Sequence, residues 1–148
     1  MIGRSQCGPV RVSRTAAQVA WMLKRPFAAS QIQTRPGPGG KSLSYVTSRD
    51  VMRRLDDAVG ADGWQTEFTA AGADKVICQL SVRYGDRWIS KSDGAGATDI
   101  EGDKGCFADA FKRAAVQHGI ARHLYYSTQI TPEQYDERIP YPETDNGL

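Results

Sequence analysis

The stretch from Val76 to Tyr84 constrains this chain most. Val76, Cys78, Leu80, Val82 and Tyr84 alternate with Gln79, Ser81 and Arg83, and a period of two puts the apolar set on one face of an extended strand. Gly85-Asp86 follows, a pair suited to a tight hairpin turn, and Arg87 to Ser92 returns as the next strand. Upstream, Trp64 to Phe68 begins another. Together they predict an antiparallel meander with one apolar face that something must cover.

Helical segments on either side supply the cover. Thr15 is placed to cap a helix over Ala16 to Lys24, which Pro26 stops. Thr47 or Ser48 caps a second helix that runs to Val59, with Gly60 at its C-terminal stop. Val51, Leu55, Ala58 and Val59 form its core face, and Asp50 and Arg54 stand one turn apart in the favourable acid-first order. A third helix spans about Lys104 to His118, with Phe107, Ala110, Phe111, Ala114 and His118 at three- and four-residue spacing and Gly119 as its cap. Between the first two helices, Arg35-Pro-Gly-Pro-Gly-Gly-Lys41 is a loop by composition. It reads as the tip of a hairpin that pairs residues near Gln31 to Arg35 with Leu43 to Val46. Asp93 to Gly105, rich in Gly, Ala, Asp and Thr, reads as a second loop. The result is an α+β domain with helices on one face of an antiparallel sheet.

Charge divides the chain. Every charged residue before Asp50 is basic, and after Thr131 the acids Glu133, Asp136, Glu137, Glu143 and Asp145 face Arg138 alone. This asymmetry predicts a basic flexible arm over residues 1–14, a folded domain over 15–128 and an acidic disordered tail over 129–148. No apolar run approaches the ~18–20 residues of a membrane span. Cys7, Cys78 and Cys106 form no C-x-x-C pair, and His118 and His123 complete no zinc pattern. Reduced thiols and no secretory leader are expected, hence a cytoplasmic protein. The acid-free, Arg-bearing start keeps a mitochondrial address as a second option.

Three motifs suggest chemistry. Gly40-Lys41-Ser42 has the last letters of a phosphate-binding P-loop, but Arg35 stands where that motif needs glycine, and two prolines remove amides that would wrap phosphate. No nucleotide cofactor is expected. Asp99, Glu101 and Asp103 have the alternate spacing of a calcium loop, yet Lys104 and Ala110 occupy its sixth and twelfth positions, so no metal is expected either. Lys112-Arg113 lie side by side on the third helix. Assigning Asp109 to Arg113, one turn away, leaves Lys112 with Lys104 as a basic stripe suited to phosphate. Tyr45, Trp64, Phe68 and Trp88 are candidate base-stacking rings, Tyr45 above the others because it ends the basic turn.

The ordered set of these pieces resembles the Rad52 family of single-strand annealing proteins, and especially its small phage-encoded relatives. The resemblance covers roughly residues 16–126. It runs from Leu23-Lys24-Arg25-Pro26-Phe27 through Ile32, Arg35, Tyr45-Val46, Arg54-Leu55, Val59-Gly60 and Gly63-Trp64. It closes on Ala108-Asp109-Ala110-Phe111-Lys112-Arg113-Ala114-Ala115, then His118-Gly119-Ile120 and Leu124-Tyr125. It implies a β-β-α-β-β-β-α core that assembles side by side into a homo-oligomeric ring. It also implies single-stranded DNA held in a basic groove, backbone inward and bases outward, and annealed without ATP in recombination and repair. The cell would then be the bacterial host of a phage.

Carried over by position, the family's groove arginine falls on Arg35, its tyrosine on Tyr45 and its Lys-Arg pair on Lys112 and Arg113. With Lys41 and Lys104 these make the expected DNA-binding set. A further family arginine falls on Val116, for which Lys104 or Arg122 would have to compensate. Two readings from other classes stay open: a metal-dependent nuclease using Asp93, Asp99, Glu101 or Asp103, and a double-stranded-RNA-binding module.

Overall fold

Helix α1, Ala16–Lys24, begins where the Thr15 hydroxyl accepts the Gln18 amide N–H and the Gln18 side chain accepts the Thr15 N–H in return, a reciprocal cap that satisfies two otherwise orphaned donors. The structure is a computed structural model that describes residues 13–96 and 103–143, with side chains for all of these but 103–105. Past α1 the chain crosses a short 3-10 turn at Ala29–Gln31 and enters a hairpin of β1, Gln33–Pro36, and β2, Ser42–Tyr45. The register runs from Gln33 opposite Tyr45 to Pro36 opposite Ser42. Gly39 and Gly40 at the tip have φ of 70° and 77°, which a side chain would resist.

Helix α2, Ser48–Val59, starts at Thr47, whose hydroxyl accepts the Asp50 N–H, and ends at Gly60 with φ of 83°. The meander follows as β3 (Trp64–Ala70), β4 (Lys75–Tyr84) and β5 (Arg87–Gly96), in spatial order β3-β4-β5. Helix α3, Asp103–Gln117, lies across it. The β-β-α-β-β-β-α order is therefore present, framed by α1 and by a last helix α4, Pro132–Arg138. Val76, Cys78, Leu80 and Val82 of β4 are buried against Ala110, Phe111, Ala114 and Ala115 of α3, with Val19, Leu23, Val51 and Leu55 closing the same core.

Four expectations need correction. Strand β5 extends to Gly96, so Asp93–Gly96 is not loop: it pairs with Lys75 to Cys78. A Cβ on Gly94 would stand 3.3 Å from the Val76 carbonyl of the neighbouring strand, so a small residue suits this pairing.

Phe107 does not enter the core. It is 46% exposed and meets Phe68, itself 38% exposed, edge to face at 5.1 Å.

Arg54 does not pair with Asp50. Its Nη1 donates to the carbonyls of Met22, Leu23 and Arg25 at the end of α1, and its guanidinium lies 4.2 Å from the Phe27 ring centroid. Part-buried carbonyls at the end of α1, Leu23 and Arg25 above all, outcompete an exposed ion pair.

Residues 131–143 do not form a disordered tail. Thr131 and Gln134 make a second capping box for α4, Tyr135 is buried against Trp21, and Arg25 pairs with Asp136 at 2.8 Å. Of the expected arm, residues 1–12 lie outside the described residues, and Arg14 donates to the Asp57 and Ala58 carbonyls at the end of α2.

Candidate nucleic-acid interface

The β1–β2 hairpin leans over the C-terminal part of β5 and over α3, leaving a cleft of about 630 Å³. Arg35, Tyr45, Lys112 and Arg113 all line it, along with Leu43, Asp109, Val116, Leu124 and Tyr125. The hairpin brings Arg35 in because its neighbour across the strands is Leu43, and α3 brings Lys112 and Arg113.

Tyr45 organises the site. The Arg35 guanidinium carbon is 5.5 Å from its ring centroid, and the Lys112 ammonium nitrogen is 5.2 Å from the same centroid. Both distances suit cation–π attraction. The Tyr45 hydroxyl donates to the Gln33 side-chain oxygen at 3.1 Å, fixing the ring. Lys112 Nζ donates to the Val46 carbonyl at 3.3 Å, one use among an ammonium's three donors. Burial lowers the Lys112 pKa, and the neighbouring Arg35 lowers it further against the opposing pull of Asp109. Two cations gathered around one ring, Lys112 half-buried and Arg35 exposed, form a site that an anion would relieve.

Arg113 is held differently from expectation. Its Nε donates to Asp93 of β5 at 3.3 Å rather than to Asp109, whose charge acts on Lys112 instead. The sheet places Asp93 beside α3, a neighbour that spacing along one helix does not reveal. Asp93 also accepts from Gln117 Nε2 at 3.1 Å and from the Gly94 N–H at 2.8 Å. Burial raises the Asp93 pKa, but these hydrogen bonds and the Arg113 charge outweigh it and hold the carboxyl below its ordinary value.

No other predicted residue with a described side chain is brought into the cleft. Lys41 sits exposed at the hairpin tip and does not line it. The side chain of Lys104 lies outside the described residues, as do Asp99 and Glu101 and the side chain of Asp103. Arg122 donates to the Val116 and Gln117 carbonyls at the end of α3, so it is engaged in capping rather than offered to the cleft. Val116 makes that wall apolar. Trp64 packs on Phe111, with ring centroids 5.9 Å apart, and donates to Asp56. Leu43, Leu124 and Tyr125 also line the cleft, although none was expected as a DNA contact from the sequence.

The sequence profile of the Rad52/22 family of double-strand break repair proteins matches residues 15–141. The chain belongs to the Rad52/22 family. Two curated relatives are both described as single-stranded DNA-binding protein DdrA. The one from Deinococcus deserti is 34% identical, over 70% of this chain and 54% of its own length. The one from Deinococcus radiodurans is 31% identical, over 70% of this chain and 52% of its own length. The chain thus spans about half the length of the curated relatives it matches. The Rad52/22 match runs from the cap of α1 past the end of α4. The docked C-terminal helix is therefore inside the matched region, and the cleft belongs wholly to the Rad52/22 domain.

Proposed function

We propose that the protein binds single-stranded DNA through the cleft under the β1–β2 hairpin and anneals complementary strands without ATP, as a homo-oligomeric ring, in homologous recombination and DNA repair. The observation that carries this reading is the convergence of Arg35 and Lys112 on the Tyr45 ring. Arg113 borders the same cleft. Membership of the Rad52/22 family and the likeness to two Deinococcus proteins described as single-stranded DNA-binding support it.

The chemistry is electrostatic. Arg35, Lys112 and Arg113 take phosphates, releasing the counterions that a single strand condenses. Backbone contacts fix position without reading sequence, so base edges stay free to test a second strand by pairing. No covalent bond changes in this scheme. Pairing is downhill, and the protein lowers the kinetic obstacle by extending the strand and screening its charge.

Uncovered strand and aromatic surface supports self-association. All four residues of β1 are exposed, and a two-stranded hairpin of this kind is marginal in water unless another surface supports it. Phe68 and Phe107 form a further exposed aromatic pair. A ring of copies repeats the cleft and multiplies weak contacts along one strand.

The test joins three measurements on the full chain: mass in solution, affinity for a labelled oligonucleotide, and annealing of complementary fluorescent strands without nucleotide. Duplex RNA is included as a competitor. Oligomers that bind single strands and accelerate annealing support the reading. Preferential binding of duplex RNA, or DNA breakdown that needs magnesium, would overturn it in favour of the other two classes.

A further inference from the structure

We propose that Tyr125 is a base-stacking platform at the rim of the cleft and makes the cleft's grip depend on an unpaired base. The inference rests on the proposed binding of single-stranded DNA and adds to it a contact that phosphate recognition alone does not provide.

The turn after α3 is rigidly mounted. Gly119 and Ala121 adopt φ of 103° and 64°, reversing the chain. Arg122 ties the turn to the helix by donating to the Val116 and Gln117 carbonyls. Ile120 is fully buried, and His123 is buried with its Nε2 accepting the Phe27 N–H at 3.1 Å. Leu124 packs against the core. On this fixed base, Tyr125 stands 72% exposed, the most exposed of the large apolar and aromatic side chains described. Among the described residues its side chain makes no hydrogen bond and its ring no aromatic contact. Neither packing nor hydrogen bonding accounts for a tyrosine at this position.

Its location supplies a reason. Tyr125 lines the same cleft as Arg35 and Lys112. Cations there hold the backbone of a strand, and a base projecting from that backbone meets a ring. Every base has a π-face, so such a contact tolerates any sequence. The turn beneath the ring is already fixed, so only side-chain rotation is lost on stacking, which favours binding. A base within a duplex is stacked on both faces and cannot lie on Tyr125. The contact therefore exists on a single strand and is lost once pairing is complete, which helps the annealed product to leave.

The experiment uses an oligonucleotide short enough to occupy one subunit, so that avidity does not mask the effect. Affinities are measured for oligothymidylate, for an abasic strand of equal length and for a duplex, with wild type, Tyr125→Ala and Tyr125→Phe. Tyr125→Ala should weaken binding to oligothymidylate about tenfold, as expected for loss of one base–aromatic stack. It should leave the abasic strand and the duplex unchanged, and Tyr125→Phe should bind like wild type. The salt dependence of all three proteins should coincide, because no charge is altered. Equal weakening on base-bearing and abasic strands would overturn the inference, as would no effect in a protein that still binds. A changed subunit number in Tyr125→Ala would also overturn it, placing the ring at a contact between copies. Wild type that fails to bind any single strand at low salt instead overturns the proposed function itself.

Discussion

Arg113 on α3 and Asp93 on β5 form an ion pair at 3.3 Å across the boundary between helix and sheet. The acid lies at the edge of a cleft otherwise dominated by positive charge. An incoming phosphate must compete with it for the Arg113 guanidinium. Replacement of Asp93 by Asn should therefore raise affinity for single-stranded DNA at fixed salt. A binding titration checks this, and weaker binding by Asp93→Asn would show that the pair positions Arg113 instead.

Arg54 should matter for stability rather than for binding. It is half-buried, and burial together with the neighbouring Arg25 lowers its pKa to about 10. Removing it strands the Leu23 and Arg25 carbonyls that it serves and leaves Met22 with the Arg25 N–H alone. Arg54→Ala should cost about 2–3 kcal/mol, the scale of lost hydrogen bonds to a charged group. Chemical denaturation measures the loss, and an unchanged midpoint would contradict the role assigned to Arg54.

The C-terminal segment should behave as part of the fold. The Tyr135 hydroxyl donates to the Trp21 carbonyl at 3.0 Å, and the two rings lie 5.1 Å apart. Tyr135→Ala should lower folding stability by about 3 kcal/mol, near the low end for truncating a buried aromatic. A denaturation curve identical to that of wild type would mean that α4 contributes nothing.

Two buried histidines give the stability a pH dependence. His118 Nε2 donates to the Leu80 carbonyl at 2.9 Å, which requires a proton on Nε2, and Nδ1 shares a hydrogen bond with the Tyr84 hydroxyl at 2.8 Å. Burial lowers the pKa of both His118 and His123 from the ordinary 6.5, with nearby Lys91 and Arg122 adding to it for His118 and Arg54 for His123. The unfolded chain therefore takes up protons first as pH falls. The histidine contribution is complete above about pH 6.5 and is lost progressively below it. The thermal midpoint should fall between pH 7 and pH 5, and less steeply in a variant with His123 replaced by Gln. A flat profile would contradict this account of the histidines.

Much of this fold is legible in local pattern. The alternation through β4, the Thr15 and Thr47 caps and the glycine-rich hairpin each follow from one short stretch of sequence. What is hidden depends on partners distant in the chain. Asp93–Gly96 has little strand propensity and is strand because β4 and α3 hold it. Helix α4 was masked by its prolines and acids, although Thr131-Pro132-Glu133-Gln134 carries the capping signal that could have revealed it. The site divides the same way. Arg35, Tyr45, Lys112 and Arg113 could be carried over by position, whereas Asp93 as the partner of Arg113 and the exposure of Tyr125 require the tertiary structure.

The central claim is that Arg35 and Lys112 hold one DNA backbone together. Its most direct test is the salt dependence of single-strand affinity for wild type, Arg35→Ala and Lys112→Ala. Each substitution should weaken binding on every sequence and reduce the slope of log affinity against log salt by about 0.7, the value of one lost phosphate contact on a single strand. Affinity and slope unchanged in both variants would contradict the claim and move the DNA, if it binds, to another face of the molecule.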